Sequence, residues 1–325
     1  MSTYHLNLLT LLELDHIGRR TIQQILLRPQ GEELMHEKLS PGSPLLRIPV
    51  HPVSAGDLQR ARSRAQAALE QTQESGMKLA AYGEDAYPSR LAALPDFPVI
   101  LFLRGNPEAI HERRAISITG SRSAGNHAQQ ITESFARKLS EFGWQLVSGL
   151  TEGVEAAAHR GSLQAEHPGT AVLASGLDHV HPRKSKRLAQ EILDAGGCWI
   201  SEQPNGTRAR RRQLIDRDRI RSALSAGVIL IQESFTGHAM HTVRFASTQR
   251  RPLAALHPGH RAIRGDATGN NFLVKANAAV PLRSEEDLEM YLKNLSRHLA
   301  DTPAGSSRHT PPQPVPIQMR LWDEP

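Results

Sequence analysis

The residues best suited to chemistry stand at corners of the chain. The stretch RRAISITGSRSAGNH, residues 113–127, puts Gly120, Ser121 and Arg122 directly after an apolar strand candidate. Glycine lets the backbone turn sharply, serine caps a helix or donates to a phosphate, and arginine offers a forked cation. In an open parallel sheet, ligands lie beyond the carboxyl ends of the strands, where helix N-termini present unpaired N–H groups. The corner reads as a phosphate seat, although the G-x-G-x-x-G spacing of a dinucleotide site is absent. Taken alone, the tripeptide fits a plain turn with a solvent-facing arginine at least as well.

Further corners add weight. Ser148-Gly149-Leu150 ends the next strand candidate and leads through Glu152-Gly153 into the small-residue helix start VEAAAHRG. Ser175-Gly176-Leu177-Asp178 opens the loop HVHPRKSKR, where Arg183, Lys184, Lys186 and Arg187 crowd together. RARRRQLIDRDRIRSALS then holds seven arginines from Arg208 to Arg221. On a helix, Arg217 and Arg221 share a face while Ile220 and Leu224 turn inward. One basic run is usually a solvated surface; several gathered at one sheet edge form a groove for phosphates.

Catalytic signals are weak by comparison. His159 in AAAHRG stands near a helix end, where an isolated histidine is usually structural. Asp178, His179 and His181 lack a Cys/His pair at zinc-site spacing. Glu202 and Glu233 follow strand candidates and suit nucleoside chemistry, but no Ser/His/Asp set or carboxylate pair can be assigned. We therefore assign no catalytic residue, metal ligand or cofactor.

The elements that must position these corners follow from periodicity. Residues 1–75 read as a small helical domain with an apolar stripe through Leu8, Leu9, Leu11, Leu12 and Leu14, continued by Ile17, Ile22, Ile25 and Leu26. Residues 76–295 alternate eight strand candidates (KLAAYG, VILFLRG, AISITG, QLVSG, GTAVLAS, CWISE, GVILIQ and RPLAALHPG) with amphipathic helices. That alternation predicts an α/β fold with a doubly wound, mainly parallel Rossmann-like sheet. Residues 296–325, with SSRHTPPQPVPIQ, read as a disordered proline-rich tail. No internal repeat is visible.

Bulk composition narrows the partners. Lys and Arg number 39 against 33 Asp and Glu, a net +6 with histidine neutral, which favours a polyanion such as nucleic acid. The single Cys198 excludes a disulfide framework and a thiolate metal site, as expected in a reducing cytoplasm. No apolar run approaches the roughly 18 residues of a membrane span, and Met1–His5 has no signal-peptide pattern. The expectation is a cytoplasmic protein with no membrane contact.

The same residues carry a specific resemblance. SITGSRSAGNHAQQITESFARKLSEFGWQLVSGLTEGVEAAAHRGSLQ is similar to the core of the DNA-processing protein A family (DprA, also called Smf). VLASGLDHVHP, GCWISEQPNGT, IDRDRIRSALS and GNNFLVKANA resemble the family's later motifs, and YPSRLAALPDFPVILFLRGN resembles its lead-in, so about residues 80–285 match in order. The resemblance implies an extended Rossmann domain that binds single-stranded DNA and protects it. It also implies help in loading a RecA-type recombinase during natural transformation, without catalysis, as a homodimer. On this basis Arg122, Arg217, Arg219 and Lys275 are the DNA-facing candidates, and Gly120, Ser121, Gly149, Gly176, Lys184 and Asn270 join them as phosphate-binding candidates. The runner-up is a nucleotide sensor or nucleotide-processing enzyme on the same scaffold, in a phage- or plasmid-defence setting.

Departures from the pattern are specific. Asp218 replaces the asparagine of Arg-Asn-Arg and is expected to repel phosphate; Thr236–Thr242, TGHAMHT, replaces S-G-S-L-x-T. LLELDHIGRRTIQQIL resembles the family's helix-hairpin-helix or SAM-like module, but Asp15-His16 stands where Pro-Gly is usual, which points to a structural or protein-contact role. In the tail, Gln318-Met319-Arg320-Leu321-Trp322 resembles peptides that dock on the bacterial sliding clamp, with Gln318, Leu321 and Trp322 as the contacts. Folding back onto the Rossmann domain, or binding another partner, are the alternatives for that tail.

Overall fold

In the computed structural model, residues 2–37, 39–40, 43–47, 53–261 and 263–301 are described here. The chain opens with helices α1 (Thr3–Leu12), α2 (Arg19–Leu26), α3 (Gly31–Leu34) and α4 (Ala55–Glu74). Leu8, Leu11, Ile22 and Ile25 face inward from α1 and α2, as their spacing predicts, and Ala61 and Ala65 let α4 pack closely. Ser54 caps α4 by accepting the Asp57 N–H at 3.0 Å. An antiparallel pair follows, β1 (Lys78–Ala81) and β2 (Ile100–Gly105), with the short α5 (Ser89–Ala92) between them.

From there strands and helices alternate: β3 (Ala115–Thr119), α6 (Asn126–Glu141), β4 (Gln145–Ser148), α7 (Val154–Gln164), β5 (Thr170–Val172), α8 (Lys186–Asp194) and β6 (Cys198–Ser201). Then come α9 (Arg211–Leu224), β7 (Gly227–Leu230), α10 (Ala239–Thr248), β8 (Leu253–Leu256), α11 (Thr268–Lys275), β9 (Val280–Leu282) and α12 (Glu285–Asp301). The sheet order is β1-β2-β6-β5-β4-β3-β7-β8-β9. Strands β3 to β9 run parallel, whereas β2 joins β6 antiparallel. All eight sequence-expected strands are present. The ninth, around Val280-Pro281-Leu282, lies at the edge, where a proline lacking an N–H is tolerated. Among the described residues no helix is long and apolar enough to cross a membrane.

The N-terminal helices share one core with half of the sheet. Tyr4, Leu8, Ile22 and Ile25 join the same buried cluster as Phe97, Leu101, Ile200 and Ile220. Two buried hydrogen bonds stitch the seam: the Tyr4 hydroxyl donates to the Tyr82 carbonyl, and the Gln23 amide to that of Phe97 at 2.6 Å. At the other end the expected start of the tail needs correction. Helix α12 continues through Ser296 to Asp301, because Leu299 still packs on the core and its carbonyl accepts from Arg113 at 3.0 Å. Gln318, Leu321 and Trp322 lie outside the described residues.

Helices α6 and α7 pack against each other at very close range, and Gly161 is the reason. A Cβ there would stand 2.3 Å from the Glu133 carbonyl oxygen and 2.9 Å from the Ala136 Cβ. Alanine is worth about 1 kcal/mol more than glycine in a helix interior, but the obstacle is backbone and cannot step aside. Gly161→Ala is expected to lower the denaturant midpoint despite its better helix propensity, as chemical unfolding followed by circular dichroism will show.

Candidate nucleic-acid interface

Strand β3 is the point where the sheet reverses its winding, with β4 on one side and β7 on the other. Helices therefore leave its two neighbours in opposite directions, and a crevice opens beyond its carboxyl end. The Gly-Ser-Arg corner fills the floor of that crevice. A Cβ on Gly120 would meet Val154 Cγ2 at 2.8 Å and the Gln232 carbonyl oxygen at 3.1 Å. The Ser121 N–H donates to the Gln232 carbonyl at 2.7 Å, and the Ser121 carbonyl accepts the Val154 N–H at 3.2 Å. Gly153, at φ +75°, leaves only 2.3 Å between a built Cβ and that same Ser121 oxygen. The corner is thus clasped between the turns that follow β4 and β7. Arg122 projects from it, exposed, with no hydrogen bond or ion pair to any described residue.

Beneath the corner lies a buried set of charges. Glu155 on α7 accepts from the Thr151 N–H at 2.9 Å and its hydroxyl at 2.6 Å. Arg217 Nη2 reaches Glu155 at 3.2 Å, Arg217 Nη1 donates to the Val172 carbonyl at 2.9 Å, and Arg221 binds Glu155 and the Thr242 hydroxyl. Asp218 sits 3.1 Å from both Arg217 Nε and Arg221 Nη2. Burial works to raise the carboxyl of Glu155, yet the two guanidiniums and Thr151 hold it well below the usual carboxylate range. For Asp218 burial prevails and pushes the carboxyl above its ordinary value. Two cations and two acids balance, so the cluster adds no net charge to the crevice above it.

The structure sorts the sequence-derived candidates. Gly120, Ser121, Arg122 and Gly149 gather at the crevice, and Arg217 lines its base. Arg217 and Arg219 do not face solvent as expected: they are 6% and 1% exposed. Arg219 donates to Glu202 at 2.7 Å and lies 3.2 Å from Asp96, on the opposite side of α9 from Glu155. Asp218 is likewise no exposed acid repelling phosphate; it joins two arginines. Gly149 makes room for the Arg217 guanidinium, whose Nη1 would stand 1.8 Å from a Cβ. Gly176 sits under the Pro204 carbonyl, 2.5 Å from a built Cβ.

Asn270 is fully buried. Its amide donates to the Ile231 and Leu256 carbonyls at 2.9 and 3.0 Å, and its oxygen accepts the Glu233 N–H at 3.0 Å, so it ties β7, β8 and α11 rather than facing a ligand. Lys184 is 82% exposed on the rim, 3.3 Å from Glu152. Lys275 closes α11 at the end away from Thr268, the end that meets the β7 turn, so it is not brought to the crevice. Glu202 and Glu233 both have structural partners: Glu202 also pairs with Arg19 at 3.1 Å, and Glu233 accepts the Ala239 N–H at 3.1 Å. Exposed cations do collect on this edge. Arg183, Lys184 and Lys186 follow β5, and Arg208, Arg210, Arg211 and Arg212 follow β6, both strands parallel to β3. Sequence reasoning missed Glu155 and Arg221 as the anchors. The spacing of Arg217 and Arg221 on one helical face was the available signal.

Two stability outcomes follow from the cluster. Glu155→Gln removes the acid that both buried arginines and Thr151 hold ionised and is expected to lower the unfolding free energy by about 3 kcal/mol, as breaking a buried pair does; urea unfolding measures it. Burial draws the His159 imidazole, whose Nε2–H donates to the Gly149 carbonyl at 3.0 Å, down to about 4. Between about pH 6.5 and 4 the unfolded chain binds the proton and the native state does not, so stability falls as pH falls through that window. His159→Gln is expected to flatten this slope, by up to about 3 kcal/mol between pH 7 and pH 4, in thermal unfolding across the range.

Comparison with known proteins identifies relatives of the chain. The sequence model of DNA recombination-mediator protein A matches residues 78–293, from β1 into α12. Protein Smf of Escherichia coli is 34% identical over 203 residues, 62% of this chain and 54% of that protein. DNA processing protein DprA of Bacillus subtilis is 30% identical over 186 residues, 57% of this chain and 62% of that one. The chain thus matches little more than half the length of these relatives. The fold is similar to that of DNA processing protein A from Streptococcus pneumoniae, with TM-score 0.74 and 24% identity over 89% of this chain and 98% of that one. The Helicobacter pylori protein, described with its single-stranded DNA binding mode, superposes with TM-score 0.59 and 23% identity over 68% of this chain and 97% of that one. The chain belongs to the DNA recombination-mediator protein A family.

Proposed function

We propose that the chain binds single-stranded DNA along the carboxyl edge of its sheet, shields it, and presents it to a RecA-type recombinase, as a homodimer and without catalysing a reaction. The observation that carries the reading is Arg122: an exposed guanidinium with no partner among the described residues, held on a rigid corner at the reversal point of the sheet. The exposed cations after β5 and β6 extend the positive edge on one side. Exposed cations beside backbone amides, above a buried cluster that is already balanced, suit the tracking of a phosphate chain. The single-strand binding described for the Helicobacter pylori protein supports the same choice of ligand.

The test is equilibrium binding to oligo-dT over a series of salt concentrations. The parent is expected to bind with an affinity that falls steeply with salt. Arg122→Ala is expected to weaken binding and to lower the log–log salt slope by about 0.7, the increment for one phosphate on a single strand. An unchanged slope in a folded variant removes Arg122 from the interface.

A further inference from the structure

We infer that Phe235, on the turn between β7 and α10, is a stacking platform for a base of the strand that Arg122 holds; the inference rests on the single-stranded-DNA reading above. Five large apolar side chains stand exposed among the described residues, and two of them are aromatic, Phe142 and Phe235. Phe142 ends α6 at the amino edge of the sheet, beneath the Lys138 ammonium at 5.7 Å. Phe235 follows the carboxyl end of β7 and is 36% exposed. Its turn begins at Gln232, whose carbonyl receives the Ser121 N–H. Three residues of chain span at most about 11 Å, so the ring belongs to the same crevice edge as Arg122.

The ring is held out rather than left loose. Phe272 meets it edge-on, with centroids 4.8 Å apart and planes at 65°, a favourable aromatic geometry. The Phe235 N–H donates to the Thr268 hydroxyl at 3.0 Å. Glu233 braces the turn by accepting the Ser234 and Ala239 N–H groups at 3.0 and 3.1 Å, and Asn270 fixes Glu233 in turn. Exposed Arg261 and Arg264 lie on the loop after β8, and Gly265 beside them approaches the Gln232 amide, 2.5 Å from a built Cβ. A rigid aromatic on a strand end that also carries exposed cations suits the binding of single strands without sequence preference, the phosphates meeting charge and the bases meeting a π-face.

The experiment compares a dT oligonucleotide with an abasic oligonucleotide of the same length and charge, by fluorescence anisotropy. Phe235→Ala is expected to weaken dT binding at least about fivefold, the lower end for loss of one stacked base. The same variant is expected to leave abasic binding and the salt slope as in the parent. Phe235→Trp is expected to restore dT binding, and Arg122→Ala to weaken both ligands. Equal affinity of Phe235→Ala and parent for dT overturns the inference, as does an equal loss on both ligands. If Arg122→Ala loses affinity while Phe235→Ala does not, only the stacking role fails; if the parent binds neither oligonucleotide, the single-strand reading fails with it.

Discussion

A single buried carboxylate organises the carboxyl edge of this sheet. Glu155 is removed from water on α7 and remains ionised because Thr151 and two arginines from α9 surround it. Removing a charge from water is expensive, and the expense is offset only where partners satisfy its lone pairs. Here the partners are the side chains that fix α9 over β3, β4 and β5, so satisfying the carboxylate and docking the helix are one event. Gly149 is part of the same constraint, since any side chain there would occupy the space of Arg217. The Ser-Gly-Leu corner therefore owes its glycine to an internal guanidinium.

This arrangement divides the arginines of one run into two populations. Arg217, Arg219 and Arg221 are neutralised from within by Glu155, Asp218 and Glu202. Arg208, Arg210, Arg211 and Arg212 remain in water. The inner set fixes geometry, while the outer set contributes to the field a polyanion would sense. Because the inner cluster is balanced, it holds the Gly-Ser-Arg corner without competing with Arg122 for an anion.

The strands were legible because each is a short apolar run bounded by glycine or a polar corner, whereas their order, and with it the reversal point at β3, is set by tertiary packing. Strand β9 was not, since AAVPLR is brief, contains a proline and lies at an edge. The fate of the arginines was also hidden. Charge density reads as surface from sequence, and the carboxylate that buries Arg217 lies 62 residues away. Sequence spacing did place Arg217 and Arg221 on one face; it could not say that the face looks onto Glu155. For Asn270, four polar contacts with backbone replaced an expected ligand contact, because a side-chain amide satisfies carbonyls at the ends of two strands as readily as a phosphate.

The seam between the N-terminal helices and the sheet has a mechanical consequence. Arg19 on α2 and Arg219 on α9 grip the same Glu202 carboxylate, from opposite sides of a shared core. A displacement of α2 would strip that carboxylate of one cation and alter the hold on the other, at the helix that also carries Arg217 and Arg221. The helical segment and the carboxyl edge of the sheet are thereby geared together. Force applied to α2 would be felt at the crevice as a change in the seating of α9, transmitted through a shared acid.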